Sequence, residues 1–295
     1  MDDETVKAYK KAGRIAKECR QHGAEQIEVG GSMKAILDEI EARIASYDDA
    51  MPAFPPQISV NEVAAHYYPA EDDYEFKEGD LCKIDVGVAV NGYIGDTATT
   101  VDLGDHDEIV DAANEALTNA LDLVGPEATL GNIGAAIQDT ASEYGLRPIT
   151  NLSGHGLAHY DAHTAPQVPN IDNGNPNTIG DNTAVAIEPF TTDGAGEVYE
   201  GEDATVFEQQ KSGSARNKIV RRVLNQIESY EGLPFATKWL ANDHGWQKTR
   251  YALQELHRLD IVKGYPPLKE RDGGQVAQAE HTVLINDGNV IVTTD

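Results

Sequence analysis

The residues of this chain that could do chemistry are five side chains of the kind that bind metal ions. They comprise one histidine and four carboxylates, in the chain order Asp85, Asp96, His155, Glu188 and Glu280. Such a hard, oxygen-rich set favours first-row divalent ions over a structural zinc site, and the histidine disfavours calcium. The residue types and their order suggest a hydrolase that uses two metal ions.

The first two acids lie on either side of a predicted turn. Asp85 and Asp96 belong to the run KIDVGVAVNGYIGDTA, whose centre is Asn91-Gly92. An Asn-Gly pair between apolar and β-branched residues predicts a two-residue hairpin turn. This turn sets Ala98 opposite Asp85 and places Asp96 on the diagonal. Two carboxylates this close repel each other unless a cation lies between them, although one of them could instead point to solvent.

The other three residues stand among glycines or at the ends of apolar runs. His155 lies in NLSGHGLAHYDAH, and if this segment is extended, His155, His159 and His163 share one face. Glu188 ends the strand-like run TAVAIEPF, and Glu280 begins EHTVLI. A carboxylate beside a buried strand is costly to desolvate without a partner, which a metal ion would supply. The alternative is an acidic α+β protein that binds no metal. In that case all five residues would have ligand-type side chains in these settings only by chance.

Composition limits the class of protein. The 295 residues are 40% hydrophobic, which predicts one large domain or one domain with a small second one. No run of 18 apolar residues is present, and the charged start MDDETVKAYKKAGR has no signal-peptide core, so we predict a cytoplasmic protein without a membrane partner. Cys19 and Cys82 stand far apart in dissimilar contexts, which argues against a disulfide framework.

The net charge of -27 is far from zero. Disorder would explain such acidity, but the apolar periodicity and aliphatic strands are those of a globular chain. Four acids at most belong to the metal site, so the site does not account for the excess. A dense acidic surface that salt screens is the better explanation, and we therefore predict a halophilic protein from a high-salt cytoplasm.

Helical and strand-like segments alternate along most of the chain. Helices are predicted over 3–27 and 33–47, the second capped by Ser32, and around 107–123 and 131–144. A short strand within ISVNEVAAHY leads to His66. The strands around the metal-ligand motifs alternate with these helices, which predicts an α+β layered domain.

Residues 205–265 differ from the rest in charge. They hold ten Lys or Arg against six acids, a net of +4, so the rest of the chain carries about -31. Their periodicity predicts three helices, with Pro234 in the first turn of the second, followed by a strand that turns at Gly264. We predict an inserted winged-helix-like helical subdomain. Its basic charge could serve nucleic acid, but packing against the acidic body is the simpler explanation.

The five residues in the settings IDVGVAVNGYIGD, GHG, IEP and EHT resemble the methionine aminopeptidases of the pita-bread metallohydrolase superfamily. The segment PAFPPQISVNEVAAHYYP around His66 fits the same family, and the long insertion ending near GYPPL resembles its type 2 branch. The resemblance runs from about residue 3 to the C-terminus. It implies a pita-bread catalytic domain formed by 1–204 and 266–295, interrupted by the subdomain 205–265.

The resemblance also implies an activity, which is removal of the initiator methionine from nascent proteins and peptides with a small second residue. Two divalent ions, Co, Mn, Fe or Zn, would activate a hydroxide that attacks the first peptide bond. Asp85 would hold one ion, His155 and Glu188 the other, and Asp96 and Glu280 would bridge both. Glu188 would also act as a catalytic proton shuttle.

Further residues match the substrate side of that family. His66 and His163 correspond to two substrate-binding, catalytic histidines, while His159 has no such match and is expected to be structural or to support a residue of the site. Phe54, Phe190 and Tyr265 fall where the methionine pocket is expected. Ala162, beside His163, is smaller than the aliphatic residue expected there, which puts the tightness of the pocket in doubt.

The partners implied are nascent polypeptide N-termini, with transient ribosome association, and we expect a monomer. Two rivals within the superfamily are a proline dipeptidase or similar peptidase, which carries an extra N-terminal domain, and a non-catalytic binding protein. Relatives of the second kind lose metal ligands, and all five are present in this chain.

Overall fold

Two helices open the chain and pack against a long β-hairpin. A computed structural model describes residues 1–201 and 203–295. Helix α1 covers Asp3–Ala24 and α2 covers Met33–Ala45. The side chain of Ser32 accepts a hydrogen bond from the backbone N–H of Ala35 and so caps α2, as predicted. The first helix ends three residues before its predicted end, with the backbone N–H of Glu25 bonded to the carbonyl groups of Gln21 and Gly23.

The hairpin has the register that the Asn-Gly turn predicts. Strands β4 (Leu81–Val90) and β5 (Tyr93–Asp102) pair antiparallel, with Asp85 opposite Ala98 and Gly87 opposite Asp96. Asn91 and Gly92 both have positive φ, at 49° and 82°, as a type I′ turn requires. Strands β1 (Ala50–Pro52) and β2 (Gln57–Val60) pair with β4 to complete this sheet.

A second half follows in which two helices cover a larger sheet. The predicted helices appear as α3 (Asp107–Leu123) and α4 (Leu130–Glu143). The strands of the sheet are β7 (Ser153–Ala158), β8 (Asp161–Pro169), β9 (Thr183–Ile187), β17 (His281–Asn286) and β18 (Asn289–Val292). Their order across the sheet is β18-β17-β9-β7-β8. Apolar side chains of the two helices and of this sheet form one core cluster.

Short strands connect the two halves. They are β3 (Val63–Ala65), β6 (Arg147–Pro148), β10 (Phe190–Thr192), β11 (Val198–Glu200), β15 (Leu268–Glu270) and β16 (Val276–Gln278). In the described part of the chain they form two small sheets, with the strand orders β16-β10-β6 and β11-β15-β3. The mixture of helix and sheet confirms the α+β prediction.

The segment predicted as a subdomain has a hydrophobic core of its own. It contains β12 (Val206–Gln209), α5 (Lys218–Ile227), the 3-10 turn Glu228–Tyr230, β13 (Phe235–Ala236), α6 (Thr237–His244), α7 (Trp246–Arg258) and β14 (Val262–Tyr265). The three predicted helices are present. The placement of Pro234 was wrong, because Phe235 pairs with Phe207 in a strand and α6 begins only at Thr237. The division at 205 and 265 and the winged-helix likeness stay predictions.

None of the helices in the described ranges is long and apolar enough to cross a lipid bilayer. Cys19 and Cys82 are both buried and carry free thiols.

Candidate metal centre

The five ligand-type residues come together where the two large sheets face each other. Asp96 on β5, His155 on β7 and Glu280 just before β17 are buried, and each offers a ligand atom within 4.8 Å of the other two. Asp85 on β4 lies diagonally from Asp96 in the hairpin register. Glu188, which follows β9, has its Oε1 3.7 Å from Nε2 of His155.

Asp85 and Glu188 form the accessible side of this cluster. Both residues are partly exposed, Glu188 with 14% of its side chain accessible, whereas Asp96 and Glu280 are buried. The amide Nε2 of Gln278 lies 3.4 Å from Oδ2 of Asp85 and 3.4 Å from Oε2 of Glu188, so one donor joins the two. An incoming molecule therefore meets Asp85 and Glu188 before it meets the buried acids.

Burial and mutual repulsion act together on these acids. Desolvation, followed by the charge of Asp96, raises the pKa of Asp85 well above its ordinary value. Desolvation, followed by the charges of Asp85 and Asp96, raises the pKa of Glu188. Desolvation and the charges of the other acids also raise the pKa of Glu280, and desolvation raises the pKa of Asp96 to about 6. Four carboxylates in one buried place hold their charge only beside a compensating cation.

Two carboxylate oxygens are left without any partner. Oδ1 of Asp96 and Oε2 of Glu280 are buried, and neither makes a hydrogen bond to the described residues. A buried acceptor without a donor is costly, and here two of them point into one cluster of acids with an imidazole. This donor set fits divalent cations of the first transition row, which all five residues could hold.

Neighbouring side chains, none of them identified from the sequence, fix the buried acids. The hydroxyl of Thr282 accepts from the backbone N–H of Asp96 at 2.7 Å and donates to its carbonyl at 2.8 Å. The hydroxyl of Thr97 donates to the backbone carbonyl of Glu280 at 2.8 Å. Gln278 could have been found by parity, because it precedes Glu280 by two residues in an extended segment.

A chamber of four aromatic rings adjoins the acid cluster. Phe54, His66, His163 and Tyr265 lie with ring centroids 5.2 to 5.8 Å apart. The ring of His163 is 4.5 Å from that of His155 and so links the chamber to the cluster. The structure thus brings together four of the five residues predicted for the substrate side.

Both chamber histidines are uncharged at neutral pH. Desolvation, together with the charge of His163, lowers the pKa of His66 to about 3. Desolvation likewise lowers the pKa of His163 to about 4, although part of its side chain remains exposed. A neutral imidazole can both donate and accept a hydrogen bond, as a peptide group requires.

The backbone of His66 is unusual. Its φ is 65°, in the left-handed region that a residue with a side chain rarely adopts. Such strain persists where the surroundings hold the residue in place, and it concentrates at functional sites. The sequence gives no sign of this conformation, because no glycine or asparagine stands at position 66.

The histidine segment folds differently from the expectation. Residues 155–163 are not one extended strand, because β7 and β8 form a hairpin that turns at His159 and Tyr160. His155 and His163 therefore approach each other from two strands. His159 bonds through Nε2 to the carbonyl of Asn91 at 3.0 Å, at the tip of the β4–β5 hairpin.

Phe190 and Ala162 lie in apolar cores. Phe190 packs in a small cluster with Ala64, Ala65 and Ile149, and among the described residues its ring makes no contact with the rings of the chamber. Its predicted place in the methionine pocket stays a prediction. Ala162 is buried in another apolar cluster, with Leu157 and Ala184, on the strand that carries His163.

Comparison with known proteins identifies the family. The sequence profile of metallopeptidase family M24 matches residues 7–287. The chain is 40% identical over 296 residues to a methionine aminopeptidase of Archaeoglobus fulgidus, and the match covers 100% of both chains. A solved structure of a thermophilic Arx1 has a TM-score of 0.88 at 14% identity, covering 99% of this chain and 91% of the other. A methionine aminopeptidase from Thermotoga maritima has a TM-score of 0.73 at 22% identity, covering 100% and 98%. The chain therefore belongs to metallopeptidase family M24 and has its pita-bread fold.

Proposed function

We propose that this chain is a metal-dependent methionine aminopeptidase, which removes the N-terminal methionine from nascent proteins and peptides with a small second residue. The observation that carries the proposal is the contact between the acid cluster and the aromatic chamber, made through His155 and His163. Relatives that match the full length of the chain, such as the methionine aminopeptidase of Archaeoglobus fulgidus at 40% identity, support the same activity.

The five residues are the proposed metal ligands. Asp85 would hold one ion, His155 and Glu188 a second, and Asp96 and Glu280 both. Bound divalent ions of Co, Mn, Fe or Zn would supply a water of lowered pKa and would stabilise the negative charge that develops on the attacked carbonyl oxygen. Four carboxylate groups supply enough oxygen atoms to hold two ions. One oxygen of Asp96 and one of Glu280 make no hydrogen bond to the described residues, which leaves them available to a metal.

The residues of the chain itself bind the substrate and move its protons. Phe54 and Tyr265 offer apolar rings to a methionine side chain, and the accessible side of Asp85 faces the entering amine. Glu188 is half-buried at the same side, so it can accept a proton from the attacking water and later give it to the leaving amine. His66 and His163, both neutral, hydrogen-bond the scissile amide and orient it.

Peptide turnover and metal binding test this proposal together. Metal-free protein is titrated with Mn, Fe, Co or Zn by calorimetry, and each loaded form is given Met-Ala-Ser and Ala-Pro peptides in molar KCl. We expect methionine release from Met-Ala-Ser, and a loss of both metal binding and turnover in His155→Ala and Glu280→Ala. Release from Ala-Pro alone would indicate the dipeptidase activity instead. Binding without any turnover would indicate a non-catalytic protein.

The proposal extends to partners and location. Nascent N-termini emerge at ribosomes, so transient ribosome association in the cytoplasm follows from the activity. A monomer is expected in solution, and size-exclusion chromatography with light scattering would contradict this if it gave twice the mass of 31.9 kDa.

A further inference from the structure

Lys263 stands at the edge of the aromatic chamber. It lies on β14 two residues before Tyr265, so the two side chains share one side of the strand. Its Nζ is 5.4 Å from the centroid of the Tyr265 ring, which in turn contacts His66 and His163. The ammonium group is close enough that its charge contributes to the lowered pKa of both histidines.

A groove begins at the same place. A cavity of about 920 Å³ lies between the basic segment 205–265 and the catalytic body, and its walls include Lys263, Gly264 and Pro266. Tyr265 itself belongs to the chamber, and residues on both sides of it in the sequence line the groove. A volume of this size accommodates several peptide residues. Phe207 and Trp246 give the groove aromatic wall surface.

Among the described residues that line this groove, Lys263 is the lysine or arginine without an ion pair. Arg250 also lines it, but Arg250 forms an ion pair with Glu71. Lys263 is exposed, and no ion pair joins it to an acid in the described ranges. Its cross-strand neighbour Glu208 already accepts hydrogen bonds from the hydroxyl of Tyr265 at 2.9 Å and from Gln210 at 2.6 Å.

Most of the molecule repels acidic peptides, since the net charge is -27. Glu200 and Asp203 also line the groove, so its wall as a whole is not basic. An ammonium group that has no ion pair in the described part of the chain is therefore a local exception beside the chamber. In an extended peptide, which rises about 3.3 Å per residue, its charge would act on residues within a few positions of a bond held in the chamber.

We propose that the groove binds the substrate residues that follow the scissile bond, and that Lys263 selects an acidic side chain at the third, fourth or fifth position. Lys263 is thus a specificity-determining residue. The inference rests on the proposed function, because it supposes that a peptide N-terminus occupies the chamber.

Matched peptides test the selection. Peptides beginning Met-Ala carry either Glu or Gln at position three, four or five, and kcat/KM is measured for each pair. At one position or more we expect the Glu peptide to be preferred roughly two- to fivefold, the range of an exposed ion pair. The preference should appear in KM and decrease as KCl is raised from the lowest concentration that keeps the protein folded, because salt screens the contact.

Variants separate selection from a general effect on activity. We expect Lys263→Gln to bring the Glu/Gln ratio to about one, Lys263→Glu to reverse it, and Lys263→Arg to keep it. The control is Lys218→Gln, an exposed lysine at the start of α5 that does not line the groove, which should keep the wild-type ratio.

A wild-type ratio of one at all three positions, with methionine still released, would overturn the role of Lys263 and leave the proposed function standing. A Glu/Gln ratio of kcat/KM that stays above one in Lys263→Gln would also overturn the role of Lys263. Failure to release methionine from any Gln peptide would overturn the proposed function and this inference with it.

Discussion

The guanidinium group of Arg20 is connected to the buried acid Glu280 through Thr97. Nη1 of Arg20, on α1, donates to the hydroxyl of Thr97 at 2.6 Å, and that hydroxyl donates to the backbone carbonyl of Glu280. Burial raises the pKa of Glu280, and the charge of Arg20 opposes that rise. Arg20 therefore supports the Thr97 hydroxyl, which holds the Glu280 backbone to β5, and its charge favours the ionised carboxylate that a metal requires.

Removal of this charge should weaken metal binding. In Arg20→Met we expect the Kd for Mn to rise about tenfold, the lower end of what loss of a group that supports a metal ligand costs. Arg20→Lys should lose less, because it keeps the charge. Calorimetric titration of metal-free protein measures the Kd. Arg14→Met is the control, since it removes an exposed arginine of the same helix. A wild-type Kd in Arg20→Met would show that Arg20 is purely structural.

Two histidines of one hairpin should differ in their effect on catalysis. His163 lies in the chamber beside His155, whereas His159 bonds to the tip of another hairpin. We expect His163→Ala to lower kcat about a hundredfold, the scale of a lost proton-transfer or orienting group. His159→Ala should change kcat by less than about twofold. Steady-state kinetics on Met-Ala-Ser measures both. Equal losses in the two variants would contradict the assignment of His163 to the substrate.

At the level of elements, helix α1 determines where the ligand-bearing hairpin lies. A Cβ added at Gly95 would lie 2.4 Å from the backbone nitrogen of Gly13, so only glycine permits this crossing. Gly95 directly precedes Asp96. A larger side chain at position 95 would push β5 away from α1, and Asp96, a proposed metal ligand, would move with the strand.

Gly95→Ala should therefore destabilise the fold and disturb the site together. We expect a loss of about 2 kcal/mol in the free energy of unfolding, as for other overpacked contacts, and weaker Mn binding. Denaturant unfolding and calorimetry in molar KCl measure these quantities. Gly125→Ala is the matched control, because a Cβ there has no atom within 4 Å. If the two alanine variants were equally stable, the close crossing would not constrain the hairpin.

A buried glutamate anchors the turn after β15. Glu270 accepts backbone N–H groups of Asp272 at 2.8 Å and of Gly196 and Gly274 at 3.0 Å. Burial by itself raises the pKa of Glu270, but these hydrogen bonds outweigh burial and lower the pKa below the ordinary value of 4.5. Because the folded-state pKa is depressed, the carboxylate contributes stability above about pH 4.5, and this contribution is lost as pH falls through the folded-state pKa.

Glu270→Gln should destabilise the protein by about 2 kcal/mol at pH 7, because the amide nitrogen cannot accept these bonds. The difference from wild type should shrink as pH falls below about 4.5. Denaturant unfolding between pH 7 and 3 measures it, with the exposed Glu127→Gln as the control. A difference that does not change with pH would show that the charge of Glu270 is unimportant.

The sequence predicted elements best where local signals act alone. The register of β4 and β5 follows from Asn91-Gly92, so the approach of Asp85 and Asp96 was predictable. The β7–β8 hairpin was not, because its turn residue Tyr160 takes a φ of 55° without a glycine and bonds to the carbonyl of Gly92, which is distant in sequence. Arg20 was missed for the same reason, since only tertiary packing brings it to Thr97 and so to the backbone of Glu280.

At the scale of the whole molecule, charge is divided unevenly between the insertion and the body. Lys238 pairs with Asp38, and Arg250 pairs with Glu71, so the basic segment 205–265 meets acids of the body. Most of the remaining acids are exposed and have no such partner in the described ranges. The body, at about -31, repels itself most strongly in dilute buffer, where the Debye length is long.

Stability should therefore rise steeply with salt. Between 0.2 and 2 M KCl we expect Tm to increase by roughly 10 °C, which for a domain of this size corresponds to about 3–5 kcal/mol. Calorimetry on the metal-free protein measures Tm without the added effect of bound metal. Sorbitol at matched osmolality is the control, because it stabilises compact states without screening charge. If sorbitol raised Tm as much as KCl did, or if Tm were the same at both salt concentrations, charge screening would not explain the acidity of this chain.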